Sequence, residues 1–293
     1  MATAAQWIQG ARLRTLPAAI APVLIGTAAA YELDSFRPVN AVLAALVALL
    51  LQIGVNYAND YSDGVRGTDE DRVGPLRLVG SGAAQPEHVK YAAFGAFAVA
   101  MLFGLALVLI TQSWWLILVG VGCVMAAWGY TGGKNPYGYM GLGDVFVFVF
   151  FGLVATLGTT YTQAGQVNLP AVIGAIGTGL IACALLMANN VRDIPTDIQA
   201  GKKTLAVRLG DKHARESYVL MLAVAVLLVV ILAPGRPWML IVLLLIPACL
   251  MPAWLMINGR KRKSLIPVLQ QTGLINLGYS LLFSLGLVLS HGF

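Results

Sequence analysis

Two short acidic motifs carry the side chains best suited to chemistry: Asn56-Tyr57-Ala58-Asn59-Asp60-Tyr61-Ser62-Asp63-Gly64 and Asn189-Asn190-Val191-Arg192-Asp193-Ile194-Pro195-Thr196-Asp197. Residues three or four positions apart share a helix face. A helix through each motif therefore aligns Asn56, Asp60 and Asp63 in the first. In the second it aligns Asn189, Asp193 and, if the helix persists past Pro195, Asp197. Proline lacks an amide hydrogen and crowds the preceding turn, so a distorted last turn is expected there.

Each motif closes a long apolar stretch, and carboxylates at such a boundary need a positive partner. Neither motif contains His or Cys, so the expected partner is a hard, oxygen-seeking cation. Mg2+ fits, because it takes one or two carboxylates and fills its octahedron with water and phosphate oxygens. Two such clusters on opposing helices predict two ions bridging a diphosphate. Further cations for that anion are Arg72 and Arg77, followed by Gly80-Ser81-Gly82, and Lys134 after Tyr130-Thr131-Gly132-Gly133. Glycines there let backbone amides approach an anion closely. Ion pairs of the acids with Arg66, Arg72 or Arg192 would balance the charges. They would explain neither the doubled spacing nor the Asn in each motif, whereas solubility accounts equally well for Asp69, Glu70 and Asp71.

The elements that must position these motifs are membrane helices. Of the 293 residues, 58% are apolar and 11% charged, and the mean hydropathy is +0.78, which excludes an ordinary soluble domain. Apolar stretches near the ~20 residues that span a bilayer fall at about 16–31, 40–59, 91–111, 114–130, 144–161, 170–190, 217–234, 238–257 and 266–289. The expected fold is all-α and polytopic, with about nine transmembrane helices. Seventeen of the nineteen Lys and Arg residues lie in the N-terminal tail and the connections on its side, leaving only Arg37 and Arg236 opposite. By the positive-inside rule the N-terminus and both motifs face the cytoplasm and the C-terminus lies outside, in a plasma membrane. The net charge of +6 then reflects topology and calls for no nucleic-acid partner.

The first apolar stretch follows two arginines, but Pro17 and Pro22 interrupt it and it completes the charge pattern, so it is read as a span and not as a signal peptide. Cys123, Cys183 and Cys249 lie inside predicted spans, where a thiol packs as a small apolar group. Asn56 and Asp60 recur as Asn189 and Asp193, each pair at the end of an apolar helix. This suggests a single domain over residues 1–293 made of two related halves, roughly 1–130 and 131–260, plus a last helix, facing one shared site.

With these motifs the chain resembles the UbiA superfamily of intramembrane prenyltransferases. Within it, the chain is similar to the actinobacterial type that prenylates 1,4-dihydroxy-2-naphthoate in menaquinone synthesis. The resemblance rests on Ala11-Arg12-Leu13-Arg14-Thr15-Leu16-Pro17, Asn56 through Asp71, Gly74-Pro75-Leu76-Arg77-Leu78-Val79-Gly80, Tyr130-Thr131-Gly132-Gly133, Gly141-Leu142-Gly143-Asp144 and Asn189 through Gly210. It departs from the family at Asp144, where many relatives are expected to have Glu. The resemblance implies a ring of helices around a lipid-accessible cavity, with a polyprenyl diphosphate and the metals under a cytoplasmic cap. It implies metal ligation by Asn56, Asp60, Asp63, Asn189, Asp193 and Asp197, with Asp60, Asp193 and Lys134 catalytic. It places Asn59, Arg66, Arg72, Arg77, Tyr130, Lys134, Arg192 and Lys202 around the substrates. The implied reaction is loss of diphosphate to an allylic cation, attack by the naphthoate ring and loss of carbon dioxide. Neither prenyl length nor oligomeric state is encoded in these motifs.

Two other classes share features with the chain. Asp60, Asp63, Gly64 and Arg66 partly match the CDP-alcohol phosphotransferases, whose motif continues with further Asp residues. Here Gly74 is followed instead by Pro75-Leu76-Arg77-Leu78. A transporter would hold its acids near mid-membrane, whereas these sit at helix ends.

Overall fold

The computed structural model describes residues 2–67 and 76–291. All regular structure among them is helical. A short helix, Ala4–Gly10, opens the chain. It is capped by Thr3, whose hydroxyl accepts from the Gln6 amide while Gln6 reaches back to the Thr3 amide. Arg12, in left-handed conformation with φ of 53°, then turns the chain into the membrane.

The spans that follow are α1 (Leu16–Glu32), α2 (Pro38–Val65), α3 (Pro86–Thr111), α4 (Leu116–Gly129), α5 (Gly143–Ala164), α6 (Leu169–Gln199), α7 (Leu205–Leu227), α8 (Pro237–Ile257) and α9 (Ile266–Ser290). Among the described residues, eight apolar segments are long enough to cross a bilayer. The fourteen residues of α4 rise only ~21 Å at ~1.5 Å per residue, short of the ~30 Å apolar layer. Proline sits in the first turn of α1, α2, α3, α6 and α9, where its missing amide hydrogen costs no helical bond. Two helices outrun their expected ends: α2 continues to Val65 and α6 to Gln199, so both acidic motifs are helical throughout. Helix α6 continues past Pro195, which keeps Asp197 on the same helix as Asp193.

Packing divides the helices into two groups. Helix α2 packs most extensively on α3, while α6 packs on α7, and α9 packs on α1, α8 and α6. The largest apolar core joins α1 and α6–α9, with Tyr218, Tyr279, Phe283 and Met239 fully enclosed. The other side holds a cavity of about 730 Å³ lined from α1 through α6, by Arg12 and Thr15 ahead of α1, by Arg77 after α2, and by the two loops after α4 and α6. Among the described residues α7–α9 contribute nothing to that lining and instead brace α1 and α6 from behind. Helix α6 is the most enclosed span and α8 the most lipid-facing. The second motif therefore projects from the best-supported helix. A π-helical turn, Phe148–Val154, sits midway along α5 and sends Phe150, Phe151 and Val154 to the cavity wall.

Candidate active site

The cytoplasmic end of α2 supplies the first set of groups. Asn56, Asn59 and Asp63 line the cavity. Asn56 donates to the Ala11 carbonyl and the Thr15 hydroxyl, both at 2.9 Å, which ties the N-terminal segment to α2. The Asn59 carbonyl oxygen accepts from the Thr131 hydroxyl at 2.8 Å. Asp63 is the point of convergence. Its carboxylate accepts from the Tyr139 hydroxyl at 2.7 Å, from Arg77 at 3.3 Å and from Lys202 at 3.4 Å.

Across the cavity, α6 presents Asn189, Asn190, Asp193, Thr196 and Asp197. Arg192, the preceding residue, grips both oxygens of Asp193 at 2.7 and 2.6 Å, the two-pronged geometry that suits guanidinium and carboxylate. Lys202, just past the end of α6, lies 4.4 Å from the centre of the Tyr139 ring as well as beside Asp63. The polar end thus holds two opposed carboxylate clusters with Arg12, Arg77 and Lys202 between or beside them.

Electrostatics match this picture. Burial pushes the Lys202 pKa down, but nearby anionic groups, Asp63 foremost, outweigh it and hold the ammonium above its ordinary value. Tyr139 is raised by burial and by Asp63, and Tyr130 is raised chiefly by burial. At neutral pH the site therefore contains a fixed ammonium and two neutral phenols able to donate hydrogen bonds.

Several expectations change. Asp60 does not reach the cavity: it has no exposed surface, and its two oxygens accept from the backbone amides of Leu78 and Val79. Arg66 faces the loop after α4, where it donates to the carbonyls of Thr131 and Gly133, and it is absent from the cavity lining. Arg192 is consumed by Asp193 and is absent from the lining. Lys134 is exposed in the same loop and also stays off the lining, because Gly133 at φ of 77° turns the chain outward just before it. Arg72 lies outside the described residues. Tyr130, Arg77 and Lys202 do line the cavity, as do all the other candidates on α2 and α6. Asp144 is buried, and its carboxylate has no hydrogen-bond partner among the described residues.

Sequence reasoning missed Tyr139 and Arg12. Tyr139 carries no charge and belongs to no spaced motif, so only its 2.7 Å contact with Asp63 reveals it. Arg12 enters the sequence analysis through the charge pattern and the Ala11–Pro17 stretch, neither of which assigns it a place at the site.

The donor set suits Mg2+. Every lining group of the two motifs is an amide, hydroxyl or carboxylate oxygen donor. Among the described residues no three His, Cys, Asp or Glu side chains close on one point. A sparse oxygen set that leaves most positions to water and phosphate is what Mg2+ tolerates, and what Zn2+ or a preformed Ca2+ cage does not.

Residues 19–288 match the UbiA prenyltransferase family. The chain belongs to that family. It is 53% identical to the 1,4-dihydroxy-2-naphthoate octaprenyltransferase of Mycobacterium tuberculosis, over 96% of each chain. It is 38% identical to the protein of the same description from Haemophilus influenzae, over 97% of this chain and 96% of that one. In fold it is similar to a UbiA homolog from Archaeoglobus fulgidus bound to DMAPP and Mg2+. There the TM-score is 0.69 at 17% identity, covering 98% of this chain and 99% of the other. As a UbiA family member, the chain is a multi-pass membrane prenyltransferase.

Proposed function

We propose that this prenyltransferase moves a polyprenyl group from its diphosphate to 1,4-dihydroxy-2-naphthoate with loss of carbon dioxide, giving demethylmenaquinol and diphosphate. The observation that carries the reading is the division of a single cavity. One end is polar, where Asp63 faces Asp193 and Asp197. The remainder is apolar and reaches the lipid-facing surface at Leu102, Leu105 and Ile117. A charged diphosphate on a long hydrocarbon has the same two-part chemistry. The activity described for the Mycobacterium and Haemophilus relatives supports the aromatic acceptor. The DMAPP and Mg2+ bound to the Archaeoglobus homolog support the donor and the metal.

In this reading Asn59 and Asp63 on α2, and Asn189, Asp193 and Asp197 on α6, would hold Mg2+, two ions in all, with Asn56 bracing the first set. Bound Mg2+ would supply neutralisation of the diphosphate charge. Arg77, Lys202 and Arg12 stabilise the anion as the allylic carbon–oxygen bond breaks, a charge that grows in the transition state. Phe146, Phe150 and Phe151 line the wall beyond. They exclude water from the allylic cation and offer it aromatic rings. The naphthoate ring carbon that bears the carboxylate attacks the cation. The bond to carbon dioxide then breaks and its electron pair restores the ring. The polar end opens toward the cytoplasm, with the C-terminus outside.

Purified protein assayed with dihydroxynaphthoate, 4-hydroxybenzoate and several prenyl diphosphates tests the reading. Prenylated product with release of carbon dioxide is expected from dihydroxynaphthoate alone, abolished by chelation and restored by Mg2+. Turnover of 4-hydroxybenzoate in preference to dihydroxynaphthoate would overturn it.

A further inference from the structure

We propose that Asp60 is a positioning residue, a clamp on the turn that carries Arg77, and not a metal ligand. The proposal rests on the reading that Arg77 serves the diphosphate. Asp60 and Asp63 are three residues apart, so their side chains diverge by about 60° around α2. That angle separates two jobs. Asp63 faces the cavity, while Asp60 faces residues 76–84.

The contact geometry is that of a two-pronged grip. Oδ2 of Asp60 accepts from the Leu78 amide at 2.8 Å and Oδ1 accepts from the Val79 amide at 3.0 Å. Both oxygens are therefore engaged, and Asp60 has no exposed surface from which to reach a ligand. The positive Arg12 interacts electrostatically with the same carboxylate. Unlike Asp193, which is also held on both oxygens but lines the cavity, Asp60 is absent from the lining, so its carboxylate is spent on the two backbone amides and has no path to a metal there.

The turn itself is built to be held. The Ser81 hydroxyl and amide donate to the Arg77 carbonyl, and the Ala84 amide donates to the Leu78 carbonyl at 3.0 Å. Val79 lies against Gly64 so closely that a Cβ there would stand 2.5 Å from its Cγ1. Arg77 immediately precedes the clamped pair, and its guanidinium lies 3.3 Å from Asp63 at the cavity. Releasing Leu78 and Val79 lets the Arg77 backbone drift, and a displaced guanidinium no longer meets the leaving group.

The test compares Asp60→Asn, Arg77→Ala, the double variant and Asp63→Asn in purified full-length protein. Asparagine keeps the shape but offers one acceptor oxygen and turns an NH2 toward the second amide. Hydrogen exchange of the Leu78 and Val79 amides is expected to quicken at least tenfold in Asp60→Asn. Its kcat/KM for prenyl diphosphate should fall, and the double variant should be no worse than about twofold below Arg77→Ala, as groups acting through one another are non-additive. The Mg2+ concentration for half-activation should stay within twofold of wild type in Asp60→Asn and rise in Asp63→Asn. Gly64→Ala, which presses on Val79 with Asp60 intact, should reproduce the exchange and kinetic changes and covers the case in which Asp60→Asn does not fold. Unchanged exchange, effects that multiply in the double variant, or a tenfold Mg2+ shift in Asp60→Asn would overturn the clamp. Faster exchange with Arg77→Ala fully active would leave the clamp standing as geometry but sink its catalytic purpose together with the role given to Arg77.

Discussion

The Tyr139 hydroxyl donates a 2.7 Å hydrogen bond to Asp63, joining the loop after α4 to the cavity-facing carboxylate of α2. Arg77 and Lys202 meet the same carboxylate at 3.3 and 3.4 Å. Three loop segments are thus brought to one side chain. Hydrogen bonds to an ionised partner contribute roughly 1.5–3 kcal/mol each, enough to hold Asp63 in one orientation before any substrate binds.

Asp63→Asn and Asp193→Asn are each expected to lower kcat/KM at least about a hundredfold, a loss of about 2.7 kcal/mol in transition-state stabilisation. Steady-state kinetics across a Mg2+ titration checks this. A variant that keeps more than about a tenth of the wild-type rate would remove that carboxylate from the site.

Arg66 and Lys134 should separate cleanly. Arg66 holds the Thr131 and Gly133 carbonyls and so the loop that carries Tyr130 and Tyr139. Arg66→Ala should cut kcat by about tenfold or more, whereas exposed Lys134→Ala should stay within about twofold of wild type. A large loss in Lys134→Ala alone would return that lysine to the diphosphate.

Lys202 gives a pH signature. Its folded pKa is raised above the ordinary 10.5. The stability it contributes is therefore fully present below 10.5 and disappears as pH climbs past that value through the folded pKa. The difference in Tm between wild type and Lys202→Met, measured in detergent, should be constant from about pH 7 to 9 and narrow above 10.5. A gap that already closes between pH 7 and 9 would contradict the pairing with Asp63.

Gly54 is where α2 meets α3. A Cβ there would lie 2.4 Å from the ring of Phe97, itself buried. Gly54→Ala should destabilise the protein by about 1–3 kcal/mol, the usual range for overpacking a well-filled contact. Thermal unfolding followed by intrinsic fluorescence reads this, and an unchanged Tm would mean that α2 and α3 separate without strain.

Topology is open to cysteine labelling. Lys203→Cys should react with an impermeant thiol reagent only from the cytoplasmic face, and Gln166→Cys only from the opposite face. Both positions are exposed loop residues. Reaction of Lys203→Cys from outside would invert the orientation.

Residue types and order alone determined that this chain spans a membrane with helices, that Lys and Arg gather on one side, and that two acidic motifs end long apolar helices. These follow from length, charge and spacing, which need no partner to be read. Which members of a motif face the cavity was decided only in three dimensions. The helical period put Asn56, Asp60 and Asp63 on neighbouring bearings, but the packing of α2 on α3 and on residues 76–84 turned Asp63 to the cavity and gave Asp60 to the backbone of Leu78 and Val79. Asp63, and not Asp60, thereby lines the same cavity as Asp193. In a soluble helix, a polar face opposite an apolar one would have revealed the inward direction. In a membrane, lipid and protein interior are both apolar, so the pattern along α2 and α6 carries no such marker. Tyr139 was hidden for a related reason: its contact with Asp63 comes from a loop folding back over the helix ends, a long-range contact that no local spacing records.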